Sequence, residues 1–268
     1  MVLALLLSVN AAAAIQTPLL PSQRIPVPTH ALDRLFGPNQ FATVPNFLDE
    51  SMVADLATDV DTLRARLTPV ASTPAHGSVE WLVLSPDAPP PDDADDARGV
   101  RAREALLHFV GDLRQHIESR TGVPLDAHCE LKYAYYPCGG RYQKHVDGVA
   151  WRSSTVAREY SFLLYLNEGW QPGDGGHLRV FDLGGGGGHV DVPPAAGTLV
   201  VFKSDVVPHE VMPTFSKRLA IVGWLHRHIE PVDHDDAPDD ESLSPLARAI
   251  MEHYRAQGKD VRMGGVGA

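Results

Sequence analysis

The chain has few cysteines, fewer basic than acidic residues and no long apolar run. Cys129 and Cys138 are the only cysteines among 268 residues. Two cysteines exclude a disulfide framework and a cysteine-rich zinc site, although one bridge between them stays open. The formal net charge is −11, which argues against a nucleic-acid partner. No stretch is apolar for long enough to predict a helix that crosses a membrane.

The beginning of the chain, MVLALLLSVNAAAAIQ, is apolar and rich in alanine. Ala12 and Ala14 are small residues of the kind that precede the cleavage site of a secretory signal, but no basic residue comes before Arg24. We therefore expect residues 1–40 to be a leader or linker that could contain a targeting segment. The compartment stays open between the cytoplasm and the secretory pathway.

Residues 41–130 are predicted to form a helical N-terminal support region. A short strand is expected from Phe41, followed by a helix that Asp49 or Ser51 can cap. The apolar residues of this helix recur at helical spacing and are Val53, Leu56, Val60, Leu63 and Leu67. A second helix is predicted over about 101–120, with an apolar face made of Leu106, Phe109, Val110, Leu113 and Ile117. Between the helices, residues 85–99 are rich in Pro and Asp and lack core-forming side chains, so we expect a mobile loop.

From residue 131 to residue 230, short apolar runs alternate with Gly, Pro and Asp. This spacing is typical of a strand-rich barrel or sandwich, so we predict a mainly β fold with flanking helices, an α+β class. Gly184–Gly188 is expected to be a flexible hairpin tip, and it is not a phosphate-binding loop because no helix follows it. Residues 231–268 are predicted to be an acidic linker and a C-terminal helix over about 242–257.

The pattern His-x-Asp occurs at His145–Asp147, at His189–Asp191 and, within an acidic run, at His234–Asp236. Alternate residues of a strand project from the same face, so such a pair could offer two ligands to a metal. A non-haem iron site needs two histidines and one carboxylate, with the other positions left open. His209, in a polar turn after the apolar strand Thr198–Phe202, is the best candidate for the second histidine.

Spacing along the chain separates the first two copies. His145 precedes His209 by 64 residues, which leaves room for several strands, whereas His189 precedes it by only 20. The second copy is also expected at a hairpin edge beside the glycine run, where a histidine is more often a solvated turn residue. We therefore favour His145 and Asp147 over His189 and Asp191 as metal ligands.

Arg218 lies nine residues beyond His209, in the next predicted strand. The apolar residues around it indicate a strand that packs in the core; they are Leu219, Ile221 and Trp224. A guanidinium buried among them would need an anion, and a carboxylate is its natural bidentate partner. The alternative is an exposed charge at a strand edge.

Five motifs, in this order, resemble those of the prolyl 4-hydroxylase-like group of iron(II)- and 2-oxoglutarate-dependent dioxygenases: YYPCGGRYQKHVDG, YSFLLYLNEGW, GDGGHLRVF, PPAAGTLVVFKSDVVPHEV and SKRLAIVGW. The resemblance covers about residues 131–225. It implies a double-stranded β-helix, or jelly-roll, with its site in the mouth of the barrel. It also implies Fe(2+) as the metal, 2-oxoglutarate and O2 as cosubstrates, and L-ascorbate as a reductant.

The resemblance further implies roles for individual residues. The metal ligands would be His145, Asp147 and His209. Arg218 would pair with the distal carboxylate of 2-oxoglutarate, Tyr165 would hydrogen-bond the same carboxylate, and Tyr136 would line the cosubstrate pocket. Val222 stands where the hypoxia-sensing prolyl hydroxylases have a threonine that touches 2-oxoglutarate, so this chain departs from their pattern at that contact.

Substrate contacts and substrate identity are the least specified part of the resemblance. Arg158 and Trp151 lie where relatives contact substrate, in a loop that varies. The resemblance implies hydroxylation of a C–H bond, and we expect a prolyl residue of a peptide or protein as the target. The alternatives are the same chemistry on a lysyl residue, a free amino acid or a small metabolite, and a catalytically silent jelly-roll that serves as a binding module. The oligomeric state is not predicted.

Overall fold

The computed structural model describes residues 9–10, 24–66, 70–71, 79–83, 96–151, 156–183, 188–229 and 261–263. Some predictions lie outside this part of the chain: Leu67, most of the leader, most of the Pro/Asp loop, residues 184–187 of the hairpin tip, the acidic linker with the third His-x-Asp, and the helix over 242–257. Within the described residues, no helix is both long enough and apolar enough to cross a membrane. Neither Cys129, which is buried, nor Cys138, which is exposed, forms a disulfide.

The described residues contain fourteen strands and two α-helices. The strands are β1 (Val9–Asn10), β2 (Phe41–Val44), β3 (Val70–Ala71), β4 (Glu80–Val83), β5 (His128–Tyr136), β6 (Tyr142–His145), β7 (Val149–Trp151), β8 (Val156–Tyr165), β9 (Leu178–Phe181), β10 (His189–Val192), β11 (Leu199–Lys203), β12 (His209–Val211), β13 (Arg218–His228) and β14 (Val261–Met263). The α-helices are α1 (Glu50–Arg66) and α2 (Asp96–Thr121), and two short 3-10 helices span Ala31–Phe36 and Pro172–Asp174.

Two antiparallel sheets form the framework, as the predicted jelly-roll requires. The major sheet has the strand order β2-β11-β8-β13-β5-β4-β3, with β1 also paired to β5, and the minor sheet has the order β10-β9-β12-β6. A separate pair joins β14 to β7. The predicted strand at Phe41 is therefore an edge strand of the major sheet, whereas β4, which also pairs with β5, was not predicted.

Side-chain alternation along β13 divides the interior into two cores. Leu219 and Ile221 belong to a core shared with the helices, whereas Ala220 and Val222 belong to a core shared with strands of the minor sheet. Successive residues of a strand point to opposite faces, so one strand contributes to both cores. The helices therefore cover the outer face of the major sheet, and the inner face is left for the site.

The helices match the predicted pattern, except for one boundary. Asp49 caps α1, because its Oδ1 accepts a hydrogen bond of 2.8 Å from the N–H of Met52. However, α2 begins at Asp96 rather than near Arg101, so residues 96–99 of the predicted loop are helical. Gly99 lowers helix propensity, but tertiary packing uses it: a Cβ at this position would lie 2.9 Å from Cα of Asp59 on α1.

Asp59 ties α1 and α2 to the major sheet. This carboxylate is 2% exposed and accepts hydrogen bonds from Nη2 of Arg103 at 2.8 Å and from the hydroxyl of Tyr133 at 2.7 Å. Removing one partner of a buried ionic network leaves the others without compensation. The network therefore holds together three elements that are distant in sequence.

Asp59→Ala should lower the free energy of unfolding by about 3 kcal/mol, because Arg103 and Tyr133 would stay buried without their acceptor. Urea denaturation followed by circular dichroism measures this loss. Asp61→Ala, on the exposed side of the same helix, is the control and should change stability by no more than about 0.5 kcal/mol. Equal losses in the two variants would show that the Asp59 network contributes nothing specific.

Candidate metal centre and adjoining anion pocket

The structure brings the three predicted metal ligands together. His209, at the start of β12, pairs directly across the minor sheet with His145, at the end of β6. Asp147 does not lie on the strand, as simple His-x-Asp alternation assumed, but in the bend that follows β6. Its N–H and that of Gly148 both donate to the carbonyl of Ser204, at 2.9 and 2.8 Å.

Gly148 allows this bend to approach the neighbouring turn closely. A Cβ at this position would lie 2.4 Å from Cα of Asp205, so a side chain would push Asp147 away from its place. The glycine that follows the first His-Val-Asp is therefore part of the reason why this copy can reach His209. In the second copy valine stands at the equivalent position.

The distances among the three side chains suit a single metal ion. Nε2 of His145 lies 3.2 Å from Oδ1 of Asp147, and Nε2 of His209 lies 3.8 Å from Oδ2 of the same carboxylate. All the ligand atoms lie within 4.8 Å of one another. Bonds of about 2 Å place neighbouring ligands roughly 3 Å apart, so little adjustment is needed to bind one ion.

Hydrogen bonds orient both imidazoles toward this point. Nδ1 of His145 faces the carbonyl of Gln143 at 2.7 Å, and Nδ1 of His209 faces the carbonyl of Val207 at 3.0 Å. A carbonyl can only accept, so Nδ1 carries a proton in each ring, and Nε2 is the ring atom that faces the carboxylate. Such outer bonds are typical of metal-binding histidines.

Electrostatics keep Asp147 and His209 in the protonation states that a metal requires. Burial, the largest influence, raises the pKa of Asp147, but His209 and His145 together outweigh it and hold that pKa well below its usual range. Burial, followed by repulsion from His145, lowers the pKa of His209 to about 4. At neutral pH Asp147 is therefore a carboxylate and His209 a neutral imidazole, the forms that coordinate metals.

Arg218 is buried on the same inner face, between two tyrosine rings. It pairs with Tyr136 across β5 and β13, and its Cζ lies 4.7 Å from the ring of Tyr136 and 5.0 Å from that of Tyr165. The arginine is only 2% exposed, and its Nε donates to the carbonyl of Gly176 at 2.8 Å. The strand-edge alternative for Arg218 is therefore excluded.

Three donors in this pocket have no partner among the described residues: both Nη atoms of Arg218 and the hydroxyl of Tyr165. A buried guanidinium without an anion is costly, so the arrangement is suited to an anionic group. Burial raises the pKa of Tyr165 and, to about 12, that of Tyr136, although Arg218 opposes both shifts. Both phenols therefore stay protonated and able to donate.

The second His-Val-Asp forms β10, an edge strand of the minor sheet. Its histidine and aspartate are exposed, and Asp191 accepts two hydrogen bonds of 2.8 Å from Arg179 on β9. His189 is not grouped with any potential metal ligand among the described residues. This copy is a surface ion pair that holds β9 and β10 together.

The side chain of only one of the two predicted substrate contacts is described. Nε and Nη2 of Arg158 donate to the buried carboxylate of Glu130, at 3.1 and 2.6 Å, so this side chain is already held by the protein. Trp151 lies in β7, and its side chain is outside the described part. For both residues the substrate contact stays a prediction.

Two residues that bind Asp147 were missed by the sequence interpretation. The hydroxyl of Ser161 and the indole N–H of Trp224 both donate to Oδ2 of Asp147, at 2.8 and 2.9 Å. Trp224 was assigned to the core from the apolar pattern of its strand. Its even offset from Arg218 along β13 was the available signal, because it places both side chains on the inner face.

Residues 131–226 match the model of the 2OG-Fe(II) oxygenase superfamily. A crystal structure of a prolyl-4-hydroxylase from Pseudomonas putida is similar with a TM-score of 0.63 and 32% identity, covering 75% of this chain and 99% of that one. A prolyl hydroxylase from Trichoplax adhaerens, in complex with a peptide fragment of hypoxia inducible factor, is similar with a TM-score of 0.61 and 23% identity, covering 74% of this chain and 88% of that one. At this identity the similarity supports the fold alone.

Two curated relatives are similar over about half of this chain. The hypoxia-inducible factor prolyl hydroxylase of Caenorhabditis elegans is 36% identical over 134 residues, which are 49% of this chain and 17% of that protein. Egl nine homolog 1 of Homo sapiens is 32% identical over 123 residues, which are 44% of this chain and 28% of that protein. The chain thus spans less than a third of either relative.

Proposed function

Because this chain belongs to the 2OG-Fe(II) oxygenase superfamily, as a prolyl 4-hydroxylase-like member, we propose that it hydroxylates a prolyl residue of a peptide or protein. The metal of this group is Fe(2+), and its cosubstrates are 2-oxoglutarate and O2. The observation that carries the proposal is the joint placement of a three-ligand set and a buried arginine with two free Nη donors on one inner face. Similarity to the P. putida enzyme over nearly its whole length supports the prolyl target.

The residues fit the metal by the chemistry of the donor set. Two imidazoles and one carboxylate leave positions open, which is the arrangement of iron(II) oxygenases. We propose His145, Asp147 and His209 as the ligands. When bound, iron and 2-oxoglutarate supply oxidative chemistry that consumes O2, converts 2-oxoglutarate to succinate and carbon dioxide, and hydroxylates a C–H bond. L-ascorbate is proposed as the reductant that keeps iron in the ferrous state.

The pocket fits 2-oxoglutarate by its unpaired donors. We propose that Arg218 takes the distal carboxylate through its two Nη atoms and that the Tyr165 hydroxyl donates to the same carboxylate. Tyr136 closes the pocket beside the guanidinium. Val222 is buried on the inner face, where an apolar side chain can contribute contact but no hydrogen bond. Burial of the whole group excludes water and strengthens the ion pair.

The purified chain, supplied with iron(II), ascorbate, 2-oxoglutarate and a proline-rich peptide, should form succinate and add one oxygen atom per modified proline. Mass spectrometry of the peptide and assay of succinate measure both products. The matched peptide with alanine in place of proline should remain unmodified. Succinate without oxygen on proline would point to another substrate, and tight binding of 2-oxoglutarate with no succinate for any substrate would support a silent binding module.

A further inference from the structure

One oxygen of Asp147 is already occupied by the protein. Oδ2 accepts hydrogen bonds from Ser161 and Trp224, at 2.8 and 2.9 Å. Oδ1 lies 3.2 Å from Nε2 of His145, the atom that this ring offers to a metal. A carboxylate with two lone pairs engaged on one oxygen is fixed against rotation and offers the other oxygen to a cation.

The two donors come from one row of residues across the middle of the major sheet. Trp224 on β13 lies opposite Ser161 on β8 and opposite Glu130 on β5. Residues opposite each other in neighbouring strands share a face of the sheet. Ser161 is fully buried and also contacts the hydroxyl of Ser204 at 2.8 Å, so its hydroxyl is not free to turn away.

An ionic cluster holds the tryptophan in place. Cζ of Arg158 lies 3.9 Å from the centre of the Trp224 ring, and Nζ of Lys132 lies 5.2 Å from it. Glu130, 4% exposed, accepts from both cations at 2.6 Å. The indole is therefore fixed by cation–π contacts that the Glu130 carboxylate locks together.

We propose that Ser161 and Trp224 are positioning residues that make Asp147 a one-oxygen ligand, and that the Arg158–Glu130 pair holds Trp224 for this task. The inference rests on the proposed function and extends it to residues that do not touch the metal. A carboxylate free to rotate could bind through both oxygens and take a position that a cosubstrate needs. Arg158 would then influence the site through Trp224, besides any contact with substrate.

Cobalt(II) titration of the full chain tests the proposal without turnover, because the visible absorption of the bound ion reports its coordination. Trp224→Phe keeps a ring but removes the donor, and Ser161→Ala removes the hydroxyl. Each should weaken cobalt binding by about 10- to 100-fold, the usual effect of losing an outer hydrogen bond to a ligand. Each should also change the cobalt spectrum. Ser161→Thr, which restores a hydroxyl, should recover the spectrum of the wild type.

Trp170→Phe is the matched control. Its indole N–H donates to the carbonyl of Gly175 at 3.0 Å rather than to Asp147, so cobalt affinity and spectrum should not change. If Trp224→Phe and Ser161→Ala are folded and bind cobalt as the wild type does, with the same spectrum, the positioning role is wrong while the proposed function stands. If the wild type binds no cobalt, the proposed metal centre itself fails.

Arg158→Met separates the positioning role from a substrate contact. If Arg158 acts through Trp224, the variant should alter the cobalt spectrum with no substrate present and should lower kcat. If it serves only to contact a peptide, the variant should raise KM and leave the spectrum unchanged, which would overturn the part of the proposal that concerns the Arg158–Glu130 pair.

Discussion

His145→Ala should abolish iron(II)-dependent conversion of 2-oxoglutarate to succinate, whereas His189→Ala should leave the rate within about twofold of the wild type. The two substitutions make the same chemical change in the same tripeptide. His145→Ala removes an Nε2 that lies 3.2 Å from Asp147 and faces His209 across β6 and β12. The rate of succinate formation should fall by more than the roughly 100-fold that loss of an outer partner of a metal site can cost. His189 is exposed on an edge strand.

Succinate formation and cobalt binding should be measured on both variants together. Loss of both in His145→Ala alone identifies the first His-Val-Asp as the metal site. The reverse result, with activity lost in His189→Ala and kept in His145→Ala, would contradict the arrangement of the minor sheet. Loss in both variants would implicate β10 in a role that its ion pair with Arg179 does not explain.

Arg218→Met should have opposite effects on cosubstrate binding and on stability. It should weaken 2-oxoglutarate binding by at least about 30-fold, since losing one partner of a buried charge pair costs roughly 2 kcal/mol or more. In the cosubstrate-free protein, however, the guanidinium is buried with two unpaired Nη atoms among the described residues. Replacing it by an apolar side chain should therefore raise the free energy of unfolding, on the order of 1 kcal/mol.

Urea unfolding with and without 2-oxoglutarate measures both effects, because a ligand that binds only the folded state stabilises it. The wild type should gain stability from 2-oxoglutarate and Arg218→Met should not. Arg103→Met is the control, since Arg103 is paired with the buried Asp59 at 2.8 Å and its loss should destabilise the protein in either condition. If Arg218→Met is as destabilised as Arg103→Met without 2-oxoglutarate, Arg218 is a structural residue and the anion pocket is wrong.

Several features of the fold follow from local sequence. Helical spacing placed Val53, Leu56 and Val60 on the buried face of α1, and Asp49 caps that helix as predicted. The boundary of α2 was wrong because Gly99, a poor helix former, is tolerated where α1 packs too closely for a side chain. Local propensity cannot report a contact made forty residues earlier in the chain.

The candidate site shows the same division. Residue type, spacing and order, together with the family resemblance, pointed to the three proposed ligands and Arg218. His209 follows an apolar strand, and Arg218 stands among residues that were predicted to be core. No sequence pattern pointed to the partner of Arg158 or to the two donors to Asp147. Glu130, Ser161 and Trp224 form one row only because β5, β13 and β8 lie side by side.

The sequence by itself therefore determined the two helices, the strand-rich class and the candidates for the chemistry. Helices and strands can be predicted because apolar side chains recur about every four residues in a helix and every two in a strand, and both repeats are visible within a short segment. Tertiary structure alone decided that Asp147 lies in a bend, that His145 faces His209, and that one oxygen of Asp147 is occupied by Trp224 and Ser161. Such choices depend on register between strands far apart in sequence, which the packing of two sheets fixes and no local pattern encodes.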